Sequence, residues 1–177
     1  MTLSIGSTIE FILDRFKPQI GADYERYKNH VYRVFSNCLM MDTDRVNEEK
    51  YAIAAAFHDL GIWTNQTFDY LEPSEHQARL YLTENGKQEW IEEITAMIHF
   101  HHKISSYQGR YEKTVATFRK ADWIDISLGL ITFGYSKQAI NKTTDSYPNL
   151  GFHFFLLKET SKHFFKHPFN PLPMVRR

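Results

Sequence analysis

His58 and Asp59 stand side by side at the end of an alanine-rich apolar run, Ala54-Ala55-Ala56-Phe57-His58-Asp59-Leu60-Gly61. An imidazole and a carboxylate at the edge of an apolar core are costly to desolvate unless something binds them, and a divalent cation is the simplest partner for both. Alone, the pair carries little weight, because His-Asp dipeptides arise by chance. It gains weight from other metal-capable residues along the chain. His30 lies upstream in His30-Val31-Tyr32-Arg33-Val34, and His76, His101-His102 and Asp122 lie downstream.

Helices must position these groups, because the apolar period is helical nearly throughout and no segment sustains the alternation of a strand. Ser7 and Glu10 have capping-box spacing before Phe11, Ile12 and Phe16, and Pro18 is expected to end that short helix. From about 23 to 41, Tyr27, His30, Val31, Val34, Cys38 and Met41 recur at helical spacing, so His30 shares an inward face. Asn47 is the expected cap of a third helix bearing Tyr51, Ala54, Ala55 and His58, with Gly61 as its stop. Residues 64–72 read as a loop. Pro73 suits the first turn of a helix that carries His76 and Leu80 towards Asn85-Gly86.

Trp90, Ile91, Ile94, Met97, Ile98 and His101 form another inward stripe, and residues 103–111 read as a surface loop. A helix over about 111–130 holds Phe118, Asp122 and Asp125 on one side. A last helix over about 150–167 is aromatic on several faces. The expectation is an all-α chain in one domain spanning 1–177, with the reactive residues concentrated between about 20 and 130.

The order H…HD…H…HH…D, with HxxRV at the first histidine, resembles the HD-domain superfamily of metal-dependent phosphohydrolases, over roughly residues 20–130. The resemblance implies a helical bundle around a divalent metal held by His30, His58, Asp59 and Asp122. Imidazole with carboxylate suits Mn, Fe, Co, Ni or Zn. Four protein groups leave positions on a six-coordinate ion for water and substrate, and such an ion both acidifies water and polarises a phosphoryl oxygen. Asp59 is the expected bridge to a second ion. His76 and His101 match positions that in binuclear relatives hold that ion. In mononuclear relatives those positions contact phosphate or act as a general acid.

The expected catalytic residues are accordingly Asp59, His76, His101 and Arg33, which one helical turn after His30 can pair with a site carboxylate or a phosphate. His102 and Asp125 are candidates for orienting ligands. Lys103 and Lys120 are candidate phosphate contacts, and His99 reads as a non-ligand. Two subfamilies are disfavoured. Leu60-Gly61-Ile62-Trp63 lacks the acidic pair that follows the HD in guanosine-tetraphosphate hydrolases, and no Gly-Tyr-Pro follows His101-His102 as in cyclic-di-GMP phosphodiesterases.

Three functions are therefore expected in descending order. The first is hydrolysis of a phosphate monoester or nucleotide-like phosphoester by one metal ion, or two. The second is a binuclear iron oxygenase resembling myo-inositol oxygenase and its phosphonate-cleaving relatives. The third is a non-catalytic HD-like binding domain.

Composition narrows the partners. The 21 basic and 21 acidic side chains cancel, which gives no bulk attraction for nucleic acid, and no polybasic tract recruits a membrane. The single cysteine, Cys38, excludes an intramolecular disulfide and reads as a small core hydrophobe. With no secretory signal and no apolar run of membrane-spanning length, the sequence reads as a soluble cytoplasmic protein with a small phosphorylated substrate. Family habit favours a homodimer, and the Phe-rich tail reads as core packing or a dimer contact.

Overall fold

The computed structural model describes residues 5–67 and 69–166. Its centre is α3 (Glu48–Phe57), in which every residue from Tyr51 to Phe57 is fully buried. A helix apolar all round can be stable only when surrounded, and α3 is. It packs against α1 (Ile5–Ile20), α2 (Tyr24–Met41), α5 (Leu71–Glu84) and α6 (Ile91–Phe100). Ala52, Ala54, Ala55 and Ala56 keep its girth small and let those four approach. α2 lies along α7 (Glu112–Ile126), where Asn37 Nδ2 donates to the Ala121 carbonyl at 3.2 Å. One main core joins these elements, with Cys38 inside it, and the all-α expectation is met. No described helix is long and apolar enough to cross a membrane.

Several local expectations are corrected. Ser7 and Glu10 lie inside α1 rather than capping it, and Glu10 accepts from the Tyr32 hydroxyl at 2.8 Å. Pro18 does not end α1, because it sits in the last turn, where few backbone bonds remain to be lost. The break comes at Gly21, with φ +60°. Asn47 precedes α3 without a side-chain cap and instead donates to Asp42 Oδ2 at 2.9 Å. Asp42 also accepts from Tyr51 Oη and Lys113 Nζ, each at 2.8 Å, tying the end of α2 to α3 and α7.

Gly61 is not the stop of α3, which ends at Phe57. It opens the short α4 (Gly61–Thr64), and a Cβ there would lie 2.4 Å from the Tyr70 carbonyl oxygen. Close approach, not helix termination, is what requires glycine here. α7 stops at Ile126, short of 130, because Leu128 and Gly129 turn left-handed. α8 (Lys137–Ser146), capped by the Ser136 hydroxyl, was not foreseen as a separate element. α9 (Phe152–Lys166) is the aromatic helix expected.

Candidate metal centre

α2, the end of α3, the end of α6 and α7 converge on one buried point. From α2 comes His30, from the turn after α3 His58 and Asp59, from the turn after α6 His101 and His102, and from α7 Asp122. All but His102 are fully or almost fully buried. Their polar atoms face one another. His30 Nε2 lies 2.9 Å from His58 Nε2, 3.5 Å from Asp59 Oδ2 and 3.8 Å from Asp122 Oδ1. His58 Nε2 lies 3.4 Å from Asp59 Oδ2 and 3.7 Å from Asp122 Oδ1. Ligands about 2.1 Å from a shared ion sit about 3.0–3.4 Å apart. The His30, His58 and Asp59 spacings match a coordination shell, and Asp122 stands a few tenths of an ångström wider.

The opposite nitrogens of the rings fix the direction of the lone pairs. His58 Nδ1 donates to the Ala55 carbonyl at 2.8 Å, and His101 Nδ1 to the Ile98 carbonyl at 2.6 Å. A carbonyl can only accept, so each Nδ1 carries the proton and, in the neutral ring, each Nε2 a lone pair. His30 Nδ1 is held by Asp125 Oδ2 at 2.6 Å. Two imidazole lone pairs at 2.9 Å repel unless a cation or a shared proton lies between them. Asp122 Oδ1 and Oδ2, Asp59 Oδ1 and His101 Nε2 are buried with no hydrogen-bond partner. Orphaned acceptors of this kind are rare in folded interiors. A single proton between His30 and His58 would not satisfy them, whereas metal ions could.

Electrostatics agree with a centre that favours positive charge. Burial alone would lower the His30 imidazole, but Asp125 and Asp59 outweigh it and hold it up at about 9. Against the same burial, Asp59 and Asp122 raise His101. Burial would raise the Asp59 carboxyl, yet His58, His101 and His30 hold it well below the usual carboxylate range, and Asp122 is lowered in the same way by His58, His101 and His102. The protein thus keeps two carboxylates ionised in its interior.

Two ligand groups emerge, His30–His58–Asp59 and Asp59–His101–His102, each with its ligand atoms within 4.8 Å of one another. Asp59 is common to both, with Oδ2 towards His30 and His58 and Oδ1 3.5 Å from His101 Nε2. Asp122 repeats the pattern, with Oδ1 towards the first group and Oδ2 3.8 Å from His102 Nδ1. Two carboxylates each span the gap between the groups.

His30, His58, Asp59, Asp122 and His101 are thus brought together as expected. His76 is not. It is exposed on α5, lining an open depression with Glu72, Glu75 and His99, and belongs to neither ligand group. His102 stands where His76 was expected. Burial and the neighbouring His101 push its imidazole down to about 3, so it stays neutral, and the Tyr70 hydroxyl meets its Nε2. Successive residues in a helix point about 100° apart, so a continuous helix would turn two adjacent histidines to different faces. α6 ends at Phe100, and the turn that follows lets both face in. His99 pairs with Glu75 at 2.8 Å outside the cluster, as expected for a non-ligand.

Arg33 takes the first of its two expected partners, a carboxylate. It is 1% exposed, and its guanidinium forks onto Asp125 at 2.5 and 3.0 Å while Nη1 reaches the Tyr147 carbonyl at 3.0 Å. With those donors committed, it fastens Asp125 rather than meeting a substrate. Phe152, at the start of α9, stacks on His30 with ring centroids 4.2 Å apart, and His153 Nε2 meets the Asp125 carbonyl at 2.7 Å. α9 therefore closes the α2 side of the site, a role that its aromatic composition alone did not disclose. No family model, curated protein or solved structure matches the chain.

Proposed function

We propose that this chain is a metal-dependent phosphohydrolase of the HD type, acting on a phosphate monoester or nucleotide-like phosphoester. The observation that carries the reading is the facing pair His30 Nε2 and His58 Nε2, 2.9 Å apart beside the orphaned oxygens of Asp122. A bound transition metal supplies an acidified water and a Lewis acid for a phosphoryl oxygen. The chain's residues supply the rest. His30, His58, Asp59 and Asp122 would hold a first ion, and Asp59, His101 and His102, with Asp122 alongside, would hold a second. Asp59 and Asp122, ionised in the resting protein, would offset part of the cationic charge, and the remainder would favour a substrate that brings negative oxygens. The Tyr70 hydroxyl, in contact with His102 Nε2, is the candidate proton source for the departing alkoxide.

The test is phosphate release from a panel of phosphomonoesters and nucleotides by protein reconstituted with Mn, Co, Ni, Fe or Zn. Turnover that disappears in Asp59→Asn supports the reading, and no release from any substrate with any metal contradicts it. Asp59, common to both ligand groups, also favours a second reading, an oxygen-dependent di-iron enzyme. Phosphate release under strict anaerobiosis separates the two.

A further inference from the structure

Two arginines are buried in the frame of this centre, and they differ in one respect. Arg33 is paired with Asp125, whereas Arg119 has no acidic partner among the described ion pairs. Arg119 is 6% exposed, its Nε is buried without any hydrogen-bond partner, and Nη1 donates to a single backbone oxygen, Lys103 O, at 3.1 Å. A guanidinium stays charged, and a buried charge without a counter-charge is strongly unfavourable. Burial alone lowers its pKa. The geometry asks for an anion.

The position says where that anion would sit. Arg119 precedes Asp122 by one turn of α7, where residues at this spacing have Cβ atoms about 5–6 Å apart. Its one described hydrogen-bond partner, Lys103, follows directly on His101-His102. Arg119 thus bridges the two segments that bear Asp122 and His102. Lys103 and Lys120, both half-buried, add positive charge, and neither pairs with a carboxylate among the described residues. Phe133 gathers this edge, its ring 5.9 Å from the Arg119 guanidinium carbon and 6.0 Å from Lys120 Nζ. It belongs to a loop that holds the non-glycine residues Leu128 and Phe133 at positive φ, a strained conformation that persists only where surroundings enforce it.

We propose that Arg119, flanked by Lys103 and Lys120, is the binding residue for the phosphate of the substrate at the α6–α7 edge of the metal centre. The identity of the anion as phosphate rests on the hydrolase reading, and the requirement for an anion does not. The guanidinium fork gives two parallel donors to phosphate oxygens, which a lysine cannot reproduce.

The experiment titrates inorganic phosphate into the full-length chain by calorimetry, once loaded with Mn and once after chelation. Arg119→Gln is expected to weaken phosphate binding by about tenfold or more in both states, Arg119→Lys by less, and Lys142→Gln on exposed α8 not at all. Wild-type protein that binds no phosphate in either state, or a folded Arg119→Gln with wild-type affinity, overturns the proposal. Should Arg119→Gln not fold, Arg119→Lys and the double variant Lys103→Gln/Lys120→Gln carry the test, and unchanged affinity in both overturns it. A chain that takes up no metal yet binds phosphate through Arg119 contradicts the hydrolase reading and keeps this one. A metal-loaded hydrolase whose phosphate affinity ignores Arg119 does the reverse.

Discussion

Asp125 Oδ2 lies 2.6 Å from His30 Nδ1, on the ring nitrogen opposite the one that faces the site. The same carboxylate is forked by Arg33 at 2.5 and 3.0 Å, so its oxygens and the arginine lock each other. His30 and Asp125 reach the same helix pair from opposite sides, His30 on α2 and Asp125 on α7. The contact both orients a ligand ring and ties two helices of the frame.

Asp125→Asn tests that arrangement. Loss of an outer hydrogen-bond partner costs metal sites about 10–100-fold in affinity. It also leaves Arg33 buried without a charge partner, at a cost of about 3–5 kcal/mol. Metal titration and chemical denaturation of the variant should show both losses. A variant with weaker metal binding but unchanged stability would contradict the part assigned to Arg33.

His76 and His102 make a contrasting pair. His102→Ala should remove the second ion and leave the first, while His76→Ala should leave metal content unchanged and stability within about 0.5 kcal/mol. Metal analysis of the two variants side by side decides it. Loss of metal in His76→Ala would return that residue to the site.

Gly61→Ala probes the close approach behind the His58-Asp59 turn. The added Cβ meets the Tyr70 carbonyl oxygen at 2.4 Å and the Pro73 Cβ at 2.9 Å, neither of which can swing away. Overpacking of this kind costs about 1–3 kcal/mol. Because Tyr70 contacts His102, metal affinity should fall along with melting temperature. An alanine variant as stable as wild type would show that the α4–α5 segment yields easily.

Much of this was legible in the sequence. The apolar run around Ala54 and the His58-Asp59 pair marked a buried helix ending at a site, and helical period placed His30 on an inward face and Asp122 on one side of its helix with Phe118 and Asp125. Pattern could not tell where helices break. His102 turns inward only because α6 ends one residue before His101, and His76 turns outward because the inner face of α5 is taken by Leu71, Ser74, Ala78, Tyr81 and Leu82. The saturation of Arg33 and the isolation of Arg119 were equally invisible. Both depend on which acceptors the tertiary fold brings near, and residue type alone carries no such information.

Acid stability follows from Asp42. Burial would raise its carboxyl, but Lys113, the Asp44 amide, Asn47 and Tyr51 outweigh it and lower it from 3.8 to about 2. A folded value below the unfolded one contributes stability that is complete above the unfolded value and is lost as pH falls from there through about 2. Lys113 is 62% exposed, so solvent screening leaves about 1–2 kcal/mol. Urea unfolding of wild type and Asp42→Asn between pH 5 and pH 2 should show the gap between them closing on acidification. A gap independent of pH would contradict the ionic anchor.

The most direct test is elemental analysis of anaerobically purified protein, as isolated and after reconstitution, beside Asp59→Asn. The two ligand groups that share Asp59 predict bound transition metal, up to two ions per chain, and its loss from both positions in the variant. Wild-type protein that is folded yet retains no metal after reconstitution with Mn, Fe, Co, Ni and Zn in turn would contradict the account at its centre.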